Sequence, residues 1–406
     1  HFILFDKSEA DKNAEKILYK LNENGYEAYI VGGCVRDMIL GRTPGDWDIT
    51  TSAKPEETKA CFGHTYDTGI KHGTITVLMG KTGYEVTTYR IEGEYTDCRH
   101  PDEVVFTRDI HEDLLRRDFT MNAIAYHPVE GFIDPFGGRE DIERKIIRGV
   151  GCAEERFRED ALRMLRAVRF AAQLGFEIEE ETWNALKNNS RLIEKISAER
   201  IREELQKLIM SDRPEKIGFL TESGLTEHIN IPLSELLKRE GGKTASRLAA
   251  AKKIPALRWA LFLDGIGVKE AEKLMKGLKF DTKTLKSVSA VIAEAAKGPL
   301  TDRYCVKKTV EKIGDENYSL LLDFYRASGT ENAAEAAEIY NDIKNNNECI
   351  YMKELKLNGD DLKKMGVTDG KTIGMALKAA LDEAHRDNSV NDAVWLANFV
   401  RDRFLI

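Results

Sequence analysis

Residues 29–50 read YIVGGCVRDMILGRTPGDWDIT, and the rest of the chain is read outward from them. Tyr29, Ile30 and Val31 are β-formers that end at Gly32-Gly33, and Val35–Leu40 has the make-up of a short helix. Gly41, Pro44 and Gly45 break that helix, and Asp46-Trp47-Asp48 then enters a second strand. Two glycines at a strand-to-helix junction let backbone N–H groups come close to a phosphate. Residues two apart on a strand point the same way. Asp46 and Asp48 are therefore expected to aim both carboxylates at one point, as hard oxygen ligands for Mg²⁺. Taken singly, a Gly-Gly pair is a turn and an Asp-x-Asp is a solvated strand face. A phosphate cradle followed closely by paired carboxylates suggests phosphoryl or nucleotidyl transfer.

A chain of 406 residues is long for one core, so two to four compact units are expected. The apolar fraction of 42% is that of a globular protein. No apolar run approaches the roughly 18 residues of a membrane span. The start, HFILFDKSEADKN, is apolar for too short a stretch to read as a secretory signal. Cysteines at 34, 61, 98, 152, 305 and 349 form no CxxC, which favours reduced thiols and a cytoplasmic location over a disulfide framework or zinc site. The formal charge of −8 means that any nucleic-acid binding has to come from a local basic face.

Around the opening stretch, residues 8–24 read as a helix with Ser8 as N-cap, ended by Gly25. Residues 74–79 (TITVLM) and 84–90 (YEVTTYR) read as an antiparallel hairpin beside the Asp46 strand. Glu85 then starts a neighbouring strand, either completing a carboxylate set or facing solvent. Residues 89–108 show little periodicity and read as a mobile loop. LLRRDFTMNAIAY (114–126) places Arg117 and Asp118 at the start of a short helix, with Asn122 a turn later.

ERFREDALRMLRAVRFAAQLGF (155–176) reads as one amphipathic helix ended by Gly175. At about 100° per residue, Leu162, Leu165, Val168 and Ala172 fall on one side, and Arg156, Asp160, Arg163 and Arg166 on the other. Asp160 and Arg163 are then neighbours on the helix surface. Cytosine and adenine each present an amino donor beside a ring-nitrogen acceptor, and a carboxylate beside a guanidinium complements both. Uracil and guanine present a carbonyl and an N–H there, so like would face like. Buried hydrogen-bonding groups can reject such a mismatch strongly. ISAERIREELQKLIM (196–210) reads as a further helix, with Ser197 as N-cap and an apolar stripe of Ile201, Leu205, Leu208 and Ile209. Beyond 211 the pattern is helical throughout, with lysines at 273, 276, 279, 283 and 286 and glycines at 366, 370 and 374 reminiscent of a helix-hairpin-helix.

The stretch GGxVRD…DWDI resembles motif A of the polymerase β-like nucleotidyltransferases, in the branch of class II tRNA nucleotidyltransferases and bacterial poly(A) polymerases. RRDxxxNA at 116–123 resembles motif B of that family, 132–151 motif C, EDxxR at 159–163 motif D, and 196–210 motif E. The resemblance implies an α+β fold: a polymerase β-like head with a mixed or antiparallel sheet and helices, followed by an all-α neck, body and tail. It implies domains at 1–152, 153–212, 213–310 and 311–406.

By the same carry-over, Asp46 and Asp48 hold Mg²⁺ and Glu85 completes the catalytic acids. Gly33, Arg36 and Arg117 hold the triphosphate, Asp118 and Asn122 sense the ribose 2′-OH, and Asp160 with Arg163 reads the base. Arg166 and Arg169 lie in the nucleotide pocket, serving phosphate or helix packing, while Lys71 and His72 either approach the triphosphate or pack their loop. The implied activity is addition of C, C and A from CTP and ATP to the tRNA 3′ end, with the acceptor arm held by body and tail lysines. The pattern YRxExxYxDxRxP at 89–101 disfavours a CC-only enzyme. An A-adding enzyme, a poly(A) polymerase and a non-catalytic tRNA-binding protein are the alternatives.

Overall fold

The computed structural model describes residues 9–92 and 104–405. It divides into two compact units, His1–Gly241 and Gly242–Ile406.

The first unit opens with α1 (Glu9–Glu23), β1 (Ala28–Val31), α2 (Gly33–Ile39), β2 (Asp48–Thr51) and α3 (Pro55–Cys61). Then come β3 (Thr65–Gly69), β4 (Thr74–Met79), β5 (Thr82–Thr88), β6 (Arg90–Glu92), β7 (Val104–Phe106) and α4 (Ile110–Leu115). β8 (Ala125–His127), β9 (Gly131–Ile133) and α5 (Gly138–Arg144) complete the sheet region. Helices α6 (Ala153–Glu159), α7 (Leu162–Leu174), α8 (Glu180–Asn189) and α9 (Ala198–Ile209) follow.

Seven strands form one mixed sheet in the order β3-β4-β5-β2-β1-β8-β9. β1 is central and wholly buried, as its unbroken run of apolar residues requires. β2 lies antiparallel to β1 with Ile30 opposite Ile49, and parallel to β5 with Asp48 opposite Glu85. The expected β4–β5 hairpin forms, with Ile75 opposite Val86. Under β1 and β8, Tyr29, Val31, Tyr89, Leu114, Ala123 and Ala125 make a common core. Ser8, the expected N-cap of α1, lies outside the described residues.

The stretch expected to be a mobile loop is in part regular: β6 and β7 pair antiparallel, Arg90 opposite Phe106. Residues 93–103, which carry most of the YRxExxYxDxRxP pattern, lie outside the described residues.

The expected single helix over 155–176 is two. α6 ends at Glu159, Asp160 has extended backbone (φ −141°, ψ 105°), and α7 begins at Leu162. The Asp160 carboxylate accepts from the Leu162 backbone N–H at 3.1 Å, competing with the helical ladder as short acidic side chains do. α9 forms as expected behind Ser197, although the Ser197 side chain makes no capping bond. Its stripe of Ile201, Leu205, Leu208 and Ile209 is buried.

The second unit is helical among its described residues. Trp259 is buried edge-on to Phe280 at 4.8 Å, and Leu357, Leu362, Leu381 and Leu396 share a core towards the C-terminus. Lys273, Lys276, Lys279, Lys283 and Lys286 are all exposed. Helices Gly359–Lys364 and Gly370–Arg386 flank Gly366, whose φ of +103° turns the chain between them.

Candidate active site

The junction after β1 depends on Gly32 rather than Gly33. Gly32 has φ +83°, and a Cβ there would sit 3.3 Å from Nη1 of Arg117. A side chain at 32 would meet both backbone strain and the guanidinium. α2 then carries Arg36 inward, where Nη1 donates to Oδ1 of Asn122 at 2.7 Å.

Asp48 opens β2 and is half-buried, whereas Asp46 lies in the bend before the strand and is exposed. The two are therefore not successive same-side residues of one strand, as had been expected. Their charges still meet. Burial pushes the Asp48 carboxyl above its ordinary range, Glu85 adds to that, Arg117 opposes it, and Asp46 adds again. Register puts Glu85 opposite Asp48, so the acid on the neighbouring strand is beside the first. Among the described residues, no group of three or more His, Cys, Asp or Glu side chains could hold a metal ion by itself.

Between α4 and β8 the chain makes only a three-residue 3-10 turn, Thr120–Asn122, instead of a short α-helix. Asp118 precedes it and is buried. Its Oδ1 accepts from the Phe119 N–H at 2.7 Å and from Nδ2 of Asn122 at 3.1 Å, and its Oδ2 from Nε of Arg166 at 2.8 Å. Burial would raise its carboxyl, but Arg166 and Arg163, together with Asn122, outweigh that and bring it down to about 2. Asp118 is therefore a fixed anion that couples Asn122, and through it Arg36, to α7.

Arg117 does not pair with its neighbour Asp118. Its Nη2 lies 3.4 Å from Oδ2 of Asp113. Asp113 is fully buried, and the sequence reading missed it. Its carboxylate also accepts from Oγ1 of Thr50 at 3.1 Å, the Arg90 backbone N–H at 3.1 Å and Nε of Arg116 at 3.3 Å. One carboxylate thus ties β2, β6 and both arginines together. The spacing DLLRR at 113–117 was the available signal, because i,i+3 and i,i+4 are the helical contact distances. Asp113→Ala leaves two guanidinium groups facing an empty site, and breaking one side of a buried pair costs about 3–5 kcal/mol. The expected result is a urea midpoint lowered accordingly. An unchanged midpoint would show that Asp113 holds nothing.

On α7 the arginines are largely buried. Asp160 and Arg163 do not pair with each other. Arg163 donates from Nη1 to Oε2 of Glu159 at 2.7 Å and to the Arg156 carbonyl at 3.0 Å, and from Nη2 to the Arg116 carbonyl at 2.7 Å. Asp160 instead takes a two-pronged contact from Arg200 of α9, at 3.2 and 2.7 Å. Arg169 is given over to packing: Nε donates to Oε2 of Glu204 at 2.7 Å, and the guanidinium lies 4.0 Å over Phe170.

A cavity of about 440 Å³ collects these groups. Its walls include Gly33, Arg36, Asp48, Arg117, Asp118, Asn122, Asp160, Arg163, Arg166 and Arg169 from the sequence reading, and Gly32, Arg116, Phe170 and Arg200 besides. Asp46 and Glu85 lie outside these walls, as do the exposed Lys71 and His72. Nε of Arg117 is buried with no partner among the described residues, a donor available to a bound anion. The cavity therefore has an acidic end at β2, a cationic middle, and a carboxylate beside a guanidinium at the start of α7. This is the arrangement of a nucleotidyltransferase head set against a helical neck.

Residues 28–148 match the poly A polymerase head domain, 175–235 the RNA and SrmB-binding site of polymerase A, and 255–400 the tRNA nucleotidyltransferase domain 2 family. The CCA-adding enzyme of Geobacillus stearothermophilus is 40% identical over 379 residues, covering 91% of this chain and 90% of that one. The CCA-adding enzyme of Ligilactobacillus salivarius is 39% identical over 403 residues, 94% of each. A crystal structure of the Bacillus stearothermophilus CCA-adding enzyme in complex with CTP superposes with a TM-score of 0.82, at 35% identity over 98% of this chain and 99% of that one. The chain belongs to the class II tRNA nucleotidyltransferases, the family of the CCA-adding enzymes. No described helix is long and apolar enough to cross a membrane.

Proposed function

We propose that this chain is a template-independent CCA-adding tRNA nucleotidyltransferase. It adds C, C and A from CTP and ATP to the tRNA 3′ end: the terminal 3′-oxygen attacks the α-phosphorus and pyrophosphate leaves. The observation that carries the reading is that Asp48, from the sheet, Asp160, from the break between α6 and α7, and Arg163, from α7, line one cavity. A nucleotide lying along it has its triphosphate near the arginines and its base near α7.

Arg36 and Arg117 would hold the triphosphate, and their planar forks suit phosphate oxygens. Asp118 and Asn122 would meet the ribose. Asp46 and Asp48 would hold a divalent cation, Mg²⁺, with Glu85 alongside. Two carboxylates suffice in such a site, because Mg²⁺ takes its remaining ligands from substrate phosphate and water. The raised Asp48 carboxyl, crowded by Glu85 and Asp46, fits a cation-binding point. When bound, the ion would neutralise triphosphate charge and ease deprotonation of the 3′-hydroxyl. The exposed lysines from 273 to 286 would meet acceptor-arm phosphates, with marked salt dependence. A cytoplasmic location belongs to the same proposal, supported by the unpaired cysteines at 34, 61, 152, 305 and 349.

The test is incubation of the full chain with tRNA lacking CCA, tRNA ending in CC, and an unrelated RNA, each with labelled CTP or ATP. The expected result is use of both nucleotides on the first substrate, ATP alone on the second, and a stop after A. Use of ATP only on CC ends would instead identify an A-adding enzyme, and unlimited A addition to the unrelated RNA a poly(A) polymerase.

A further inference from the structure

Asp160 sits where α6 has ended and α7 has not begun, so no helix fixes its side chain. Something else must, if its carboxylate is to read a base. An ionised carboxylate has about four lone-pair positions. Three are occupied: Oδ1 accepts from the Leu162 N–H at 3.1 Å and from Nη1 of Arg200 at 3.2 Å, and Oδ2 accepts from Nη2 of Arg200 at 2.7 Å. Among the described residues, one position, on Oδ2, is left.

Arg163 is limited in the same way. A guanidinium has about five N–H donors. Both Nη1 hydrogens go to Glu159 and the Arg156 carbonyl, and one Nη2 hydrogen to the Arg116 carbonyl. Among the described residues, Nε and the second Nη2 hydrogen remain, on one edge of the group. Both residues line the cavity. The protein's own bonds therefore leave a single acceptor and a single donor edge, which match an amino group beside a ring nitrogen.

We infer that Arg200 is a positioning residue for nucleotide selection: its two-pronged hold on Asp160 decides which carboxylate oxygen faces the incoming base. The inference rests on the proposed base-reading role of Asp160. Without the fork only the Leu162 N–H still holds the carboxylate, which then turns more freely about its last bond, offers either oxygen, and admits water to the vacated positions. The carbonyl or N–H that uracil or guanine presents then finds a partner it is now denied. Lysine keeps the charge but is a point donor, so it does not restore the plane.

The experiment compares Arg200→Lys and Arg200→Ala in the full chain with the unaltered protein. kcat/KM is measured for CTP and UTP on tRNA lacking CCA, and for ATP and GTP on tRNA ending in CC, alongside urea unfolding. The preference for CTP over UTP and for ATP over GTP should fall by at least about tenfold in both variants, the size of a lost hydrogen bond to a charged group. The Arg200→Lys variant should keep its unfolding midpoint. Equal loss for all four nucleotides, or Arg200→Lys selecting as the unaltered chain does, overturns the inference. Asp160→Ala separates the layers. If it relaxes selection and the Arg200 variants do not, only the role of Arg200 falls. If Asp160→Ala leaves selection intact, the base-reading proposal falls as well.

Discussion

Asp48→Ala is expected to bind tRNA as the unaltered chain does and to add neither C nor A. Asp48 stands at the mouth of β2, held between β1 and β5, with Glu85 opposite it. Burial and the neighbouring acids disfavour its ionised form in the fold. Its removal therefore relieves repulsion, and the urea midpoint should hold or rise. Activity should move the other way. A metal's stabilisation of charge at the reacting phosphate is worth several kcal/mol, so loss of a ligand should reduce kcat by about 10³-fold or more. Asp46→Ala should act in the same direction. A stable variant with no turnover separates chemistry from folding. Normal incorporation by Asp48→Ala would remove the metal assignment.

Asp160→Ala and Arg163→Ala are expected to break the choice of base. Sites that hydrogen-bond a substrate group with buried partners discriminate by about 10⁴–10⁵. Removing either member should reduce discrimination against UTP and GTP by at least about 10²-fold. Asp160→Ala loses the carboxylate acceptor proposed for the amino group, and it leaves the Arg200 guanidinium without that counter-charge. Arg163→Ala also takes one of two guanidinium partners from Glu159 and a donor each from the Arg156 and Arg116 carbonyls, so it should lower stability too. Competition between CTP and UTP for the same 3′ end is the measurement. Unchanged selectivity in both variants would end the base-edge account.

Local chemistry was legible wherever neighbours in the chain are neighbours in space. Gly32-Gly33 ends β1, Pro44-Gly45 separates α2 from β2, and the β-branched runs make β4 and β5. In each case the residue types limit the backbone directly. Paired charges were legible less well. The helical period puts Arg156 and Arg163 opposite the apolar stripe and Arg169 nearer the edge between the two sides, but it names none of their partners. These arginines are buried because Glu159, Glu204 and backbone carbonyls satisfy them. The break at Asp160 was hidden because the apolar period continues through it on both sides.

The sequence by itself determined the order of elements and the chemistry each brings: an acid pair after a glycine turn, arginines at 36 and 117, and EDxxR at 159–163. Those follow from short-range sterics, periodicity and side-chain type. Only the tertiary structure decided who partners whom. Arg200 reaches Asp160 across 40 residues, and Glu204 reaches Arg169 across 35. Asp113 ties β2 to the arginines beside it. A buried charge takes whichever counter-charge packing brings near, and packing of α7 on α9 is a property of the folded core that no local pattern records.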